Sequence, residues 1–82
     1  MANSKYIEEL KKLTIRNNFG TYKYGDRVIA HCINNGRWVN ILGTITDIVA
    51  LSEWNGNVTL GYGLDRVYVD FCTLRPIKKK TA

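Results

Sequence analysis

The sequence predicts a mainly β domain, in which an N-terminal amphipathic helix precedes a small five-stranded antiparallel barrel. Three observations carry this expectation. The first is a change of hydrophobic period, from three-and-four spacing before residue 20 to alternation after it. The second is Asn35-Gly36, a dipeptide that tolerates positive φ at both positions, set between two β-branched runs. The third is the shortness of every segment, because strands this short leave open edges unless the sheet bends toward closure.

Residues 4–16, SKYIEELKKLTIR, put Tyr6, Ile7, Leu10, Leu13 and Thr14 on one helical stripe. Asn3 or Ser4 can cap the start. Glu8 and Glu9 lie toward the positive end of the helix dipole, and Lys11, Lys12 and Arg16 toward the negative end. Asn17-Asn18 and Gly20 supply stop signals. A helix of this length is unstable alone, so its stripe must dock on the barrel.

In RVIAHCI, residues 27–33, Val28, Ala30 and Cys32 alternate with Ile29, His31 and Ile33. RWVNIL, 37–42, should return antiparallel through the Asn-Gly turn. Gly43 marks a bend or bulge before a third strand in TITDIVAL, 44–51. Asn55-Gly56-Asn57 forms the next turn, VTLGY a short strand over 58–62, and Gly63-Leu64-Asp65 a further connection. RVYVDF, 66–71, sends Val67, Val69 and Phe71 one way and Arg66, Tyr68 and Asp70 the other. Pro76 halts regular pairing, so TLRPI is expected as a turn or 3₁₀ segment closing one end. The expected organisation is a helical segment over 1–20, a barrel over 21–77 and a basic, disordered tail over 78–82.

YGDRVIAHCINNGRWVNILGTITDI and VYVDFCTLRPI together resemble an SH3-like barrel of the Tudor, KOW and retroelement-integrase C-terminal kind. The resemblance rests on Gly25-Asp26-Arg27-Val28 opening the first strand, Trp38 in the second, Gly43-Thr44-Ile45 leading the third, and Leu74-Arg75-Pro76 at the close. It spans residues 24–77 and implies a five-stranded SH3-like barrel that acts by binding. Such barrels bind methylated tails, RNA, DNA, ribosomal partners or other proteins, so the fold alone selects none of these.

A chain of 82 residues buries only roughly 60 % of its unfolded surface, so large apolar side chains are scarce resources for its core. Twelve Lys and Arg against seven Asp and Glu give a net charge of +5, which favours polyanionic partners. Lys78, Lys79 and Lys80 hold three of those cations, leaving nine against seven, or +2, for the rest. No apolar run approaches a membrane span and the N-terminus lacks a signal-peptide centre, so a cytoplasmic protein without membrane association is expected. Cys32 and Cys72 stand forty residues apart with His31 the single histidine. That set is too small for zinc, so no metal or cofactor is expected, and the cysteines read as buried free thiols rather than a disulfide.

No catalytic constellation stands out, and an enzyme is not expected. His31 and Cys32 are neighbours on a strand, so their side chains should diverge. Phe71 and one tryptophan are expected in the core, Trp38 more than Trp54. Trp54, in the polar loop SEWNGN, is the stronger contact candidate, followed by Tyr68 beside Arg66. If the hairpin 27–42 neighbours the last strand, Arg37, Arg66 and Lys23 share a cationic rim with Trp38 or Tyr68 inside it. Lys78, Lys79 and Lys80 would add salt-sensitive attraction to phosphates. Nucleic-acid or nucleoprotein binding through this basic and aromatic face is the leading expectation. The alternative is a small phage or mobile-element protein that binds an acidic protein surface and inhibits a host enzyme or defence complex.

Overall fold

A computed structural model of the chain describes residues 4–77. Helix α1, Ser4–Lys11, makes two turns and buries only Leu10 completely. It stops short of the expected residue 16. The Lys12 and Leu13 N–H groups donate three residues back, to the Glu9 and Leu10 carbonyls at 3.1 Å each, which tightens and ends the last turn. Strand β1, Ile15–Asn17, follows and pairs antiparallel with β2, Gly20–Tyr22. The reason is Ile15, wholly buried as a strand residue. Burial of an isoleucine is worth roughly 1.5–3 kcal/mol, against at most about 0.7 kcal/mol of helix propensity per ordinary residue. Arg16 is therefore a strand residue and not a helix-terminal cation. The hairpin crosses the boundary expected after residue 20, and Asn3 lies outside the described residues.

The other strands form one antiparallel sheet: β3, Arg27–Asn34; β4, Arg37–Ala50; β5, Gly56–Tyr62; β6, Asp65–Asp70; and β7, Leu74–Pro76. Their order is β6-β5-β4-β3-β7. The β3–β4 turn is the expected one, with Asn35 at φ 55° and Gly36 at φ 75°. The strands expected at 37–42 and 44–51 are one continuous strand. Gly43 does not end it, because its role is close approach: a Cβ there would lie 2.9 Å from the Gly61 carbonyl oxygen on β5. The irregularity comes later, as a register shift between Ile45 and Asp47. At the C-terminal end Phe71–Thr73 form a 3₁₀ turn, and Leu74–Pro76 is a strand rather than the expected turn, pairing Val28 with Pro76 and Ala30 with Leu74. Pro76 is tolerated because β7 is an edge. The ladder is open, since among the described residues no pairing joins β6 to β7.

The core gathers Val28, Ala30, Ile45, Ile48, Val58, Leu60, Val69, Phe71 and Leu74 from the sheet, with Leu10, Ile15 and Tyr22 from the N-terminal segment. Phe71 is buried as expected. Trp38 is not in the core; it is 65 % exposed, and Trp54 is 56 % exposed. Strand parity explains Trp38, because Val39 and Ile41 take the inward positions of β4 and leave 38, 40 and 42 outside. Both cysteines are free, but Cys32 is half-buried and Cys72 exposed, so neither is the buried thiol expected.

Asn17 joins the hairpin to the sheet. Its amide nitrogen donates to the Phe71 and Leu74 carbonyls at 2.7 and 2.9 Å. Its oxygen accepts from the Phe19 and Gly20 N–H groups at 2.8 and 3.1 Å and from the Tyr22 hydroxyl at 3.1 Å. The same hydroxyl lies 3.2 Å from the Leu74 carbonyl. Burial pushes the Tyr22 phenol above its usual pKa of 10, opposed by the Asn17 hydrogen bond and the nearby Arg75 charge.

Candidate functional site

The outer face of β3 and β4 is built from cross-strand rows. Arg27 stands opposite Thr44, Ile29 opposite Leu42, His31 opposite Asn40, and Ile33 opposite Trp38. His31 Nδ1 donates to the Asn40 side-chain oxygen at 2.7 Å. Its ring stacks on Trp38 with centroids 4.9 Å apart and planes 14° from parallel. Ile33 and Leu42 stay exposed beside that stack. Arg75 of β7 joins the Ile29 row, and its guanidinium carbon lies 3.7 Å over the Phe19 ring centroid. Arg75 also donates to the Cys72 and Leu74 carbonyls at 2.8 and 3.0 Å, which holds the stack in place. These rows contain no carboxylate. The face is apolar in its middle and cationic at its Arg27 and Arg75 end.

A second concavity, about 550 Å³, separates α1 from the outer side of β4, β5 and β6. Tyr6 and Ile7 form its helical wall, Arg66 and Tyr68 its far wall, and Thr59 and Gly61 a floor of small residues. The Tyr6 hydroxyl donates to the Asp47 carboxylate, a bond that raises the Tyr6 pKa above 10 and ties the helix to β4. Asp47 also accepts the Ile48 N–H at 2.9 Å. Tyr68 is 72 % exposed, so Arg66 and Tyr68 do stand together on an open face as expected.

Trp54 lies at a different end, in the loop between β4 and β5. The Ser52 hydroxyl accepts the Trp54 and Asn55 N–H groups at 3.1 Å each, a tight turn that lifts the indole outward. Glu53 anchors the loop to β1: its carbonyl accepts the Arg16 N–H at 2.7 Å and its carboxylate the Arg16 side chain at 2.6 Å. The ring faces shallow depressions shared with Phe71, Cys72 and Phe19.

The expected cationic rim is dispersed. Arg37 closes the β3–β4 hairpin opposite Asn34, whereas Arg66 lies in the row of Gly61 and Thr44. Arg37 and Thr44 are seven positions apart along β4, roughly 23 Å of strand at about 3.3 Å per residue. Lys23 belongs to the turn before β3, where its N–H donates to the Asp26 carboxylate at 2.9 Å. Lys78, Lys79 and Lys80 lie outside the described residues. His31 and Cys32 diverge, His31 to the outer face and Cys32 toward Ile41 and Val67. Sequence reasoning missed Ile33 and Leu42, whose outward parity with His31 was the available signal, and the Phe19–Arg75 stack, for which there was none.

Among the described residues no three His, Cys, Asp or Glu side chains gather as metal ligands, and no helix is long and apolar enough to cross a membrane. Compared with protein-family models, curated proteins and solved structures, the chain matches none.

Proposed function

We propose that the chain is a non-enzymatic binding module, built as an open SH3-like barrel, that docks an apolar, acid-rimmed surface of a partner protein on the outer face of β3 and β4. The barrel reading is supported by a four-strand meander, β3 to β6, after which β7 returns to pair with β3, and by a long, bulged β4 able to bend through both halves. One observation carries the function: Ile33, Trp38 and Leu42 remain in water on β3–β4 rows that hold no carboxylate, in a domain with little apolar surface to spare. Aliphatic side chains offer no platform for bases. Each ring on the face already has one side occupied, Trp38 by His31 and Phe19 by Arg75. Arg27 and Arg75 complement an acidic rim on the partner. The module would then act as a small phage or mobile-element protein that inhibits a host enzyme or defence complex by contact.

The test compares wild type with Trp38→Ala. A protein retained from source-cell lysate by wild type at high salt should be lost with the variant, with affinity falling about thirtyfold or more, as for an aromatic anchor. Saturable binding of mixed-sequence DNA or RNA with a salt slope of several charges would overturn the reading and restore the nucleic-acid alternative.

A further inference from the structure

We propose that two copies of the chain pair antiparallel through β6, with Arg66 of each copy opposite Asp70 of the other and Tyr68 on the two-fold axis. This goes beyond the reading above, because it concerns another edge of the sheet and a second copy as the partner. All six residues of β6 pair with β5, and among the described residues no other strand pairs with them. The β5–β6 connection is the two-residue turn Gly63-Leu64, with Gly63 at φ 64°, so Tyr62 and Asp65 flank it as a hydrogen-bonded pair. From there the antiparallel alternation aims the main-chain groups of Asp65, Val67 and Val69 at β5, and those of Arg66, Tyr68 and Asp70 outward. Asp70 is still extended, at φ -76° and ψ 155°, so the outward row runs to the end of the strand. Its carbonyl accepts the Thr73 hydroxyl at 2.7 Å and keeps a second lone pair.

Antiparallel geometry limits the registers, because outward main-chain groups must meet outward groups. With Tyr68 opposite Tyr68 of the second copy, Arg66 falls opposite Asp70, and Val67 opposite Val69 on the other face. Tyr68 then exchanges both its bonds with its mate, and each Asp70 N–H meets the Arg66 carbonyl of the other copy. Sliding one strand by two residues sets Arg66 or Asp70 against Tyr68, and sliding it by four sets like charge against like. The charges therefore exclude most pairings of this edge and leave one register attractive at both ends.

Self-complementarity selects the occupant. Arg66, Tyr68 and Asp70 are all exposed on one face of β6, and among the described residues neither Arg66 nor Asp70 has an ion-pair partner. They stand about 13 Å apart along the strand, at about 3.3 Å per residue, too far to pair with each other. A two-fold axis at Tyr68 brings each to its opposite and, by symmetry, makes both pairs at once. A foreign strand has to supply an acid and a cation at that same spacing; a second copy carries them already. A groove of about 250 Å³ beside Val67 and Val69, bordered by Cys32 and Ile41, leaves room for the valines of the second copy. Ile33 borders it too, where it meets the face proposed above, but the ladder uses no residue of β3 or β4.

The test follows the isotope-labelled full chain by sedimentation equilibrium and amide exchange, from about 10 µM to about 1 mM. A ladder over residues 66–70 buries less than the roughly 1,200 Å² of a stable interface, so half-association is expected at roughly 0.1–1 mM. Exchange at Arg66, Tyr68 and Asp70 should slow by about twofold or more across that range, and exchange at Trp38 should not change. Arg66→Glu and Asp70→Lys should each raise the dissociation constant about tenfold or more, since each sets like charges opposite at both ends. An equal mixture of the two variants should restore association, because every new charge then meets its opposite, and no loss of folding would mimic that. A chain that is monomeric at millimolar concentration, association insensitive to both variants, or a mixture that stays monomeric would overturn the proposal. Trp38→Ala should leave self-association as in wild type, so this inference and the proposed function fail separately.

Discussion

At one edge of the sheet β7 runs for three residues, ends in Pro76 and lies beside the β1–β2 hairpin; at the other, β6 runs for six residues and, among the described residues, no strand lies beyond it. β7 is secured by the chain itself. Asn17 and the Tyr22 hydroxyl reach the Leu74 carbonyl, and a Cβ on Gly20 would sit 3.6 Å from the Pro76 ring. β6 has no such cover, and its ends carry Asp65 and Asp70. The covered edge is tied to the core and to global stability. The open edge carries exposed charged residues at both ends, one of the devices by which sheet edges resist pairing.

The largest expected effect comes from breaking the strand on which the open edge depends. Gly56 starts β5 at φ 148°, and a Cβ there would lie 2.2 Å from the Val49 carbonyl oxygen and 2.9 Å from the Ala50 Cα. Both are backbone atoms, so Gly56→Ala should cost about 4 kcal/mol or more and leave little folded protein by circular dichroism. Asn17→Ala attacks the covered edge instead. It removes the donors to Phe71 and Leu74 and should lower stability by about 2–3 kcal/mol in urea unfolding, with exchange at β7 rising most.

Tyr22→Phe is a finer probe of the same edge and should cost about 1 kcal/mol at neutral pH. The folded-state pKa of Tyr22 is raised, so its contribution is complete below the unfolded value of about 10 and is lost as pH rises through the folded value. Wild type should therefore lose stability above about pH 10 more steeply than the phenylalanine variant; parallel alkaline curves would contradict burial as the cause. Exposed Tyr6 shifts in the same direction through Asp47 but is screened by solvent. The smallest effect is that of Trp38→Ala on stability, within about 0.5 kcal/mol, because the ring lies outside the core. A larger loss would mean that the outer face is structural rather than a contact surface.

Legibility varied with the range of the interaction. The Asn35-Gly36 hairpin, the alternation of β6 and the burial of Phe71 follow from neighbours in sequence, and the structure has all three. Gly43 reads locally as a bend or bulge between two strands, because its partner in close approach, Gly61, is eighteen residues away. Asn17 resembled a helix stop, since the carbonyls it serves at Phe71 and Leu74 are more than fifty residues distant. Among the site residues, Arg66 beside Tyr68 was legible from strand parity. The dispersal of Arg37, Arg66 and Lys23 was not, because it depends on where the rows of a continuous β4 fall.

By itself the sequence determined a helix followed by short antiparallel strands, the principal hairpin turn, and the inward and outward sides of β6. Those follow from backbone preferences and from the two-residue period of a strand, which act within a few residues. The tertiary structure decided that the helix ends at Lys11, that two expected strands are one, that β7 pairs with β3, and that Trp38 faces water. Each of these depends on which distant side chains compete for a small core. Where Ile15, Ile41 and Leu74 had to be accommodated, the packing of the whole domain outweighed the local pattern.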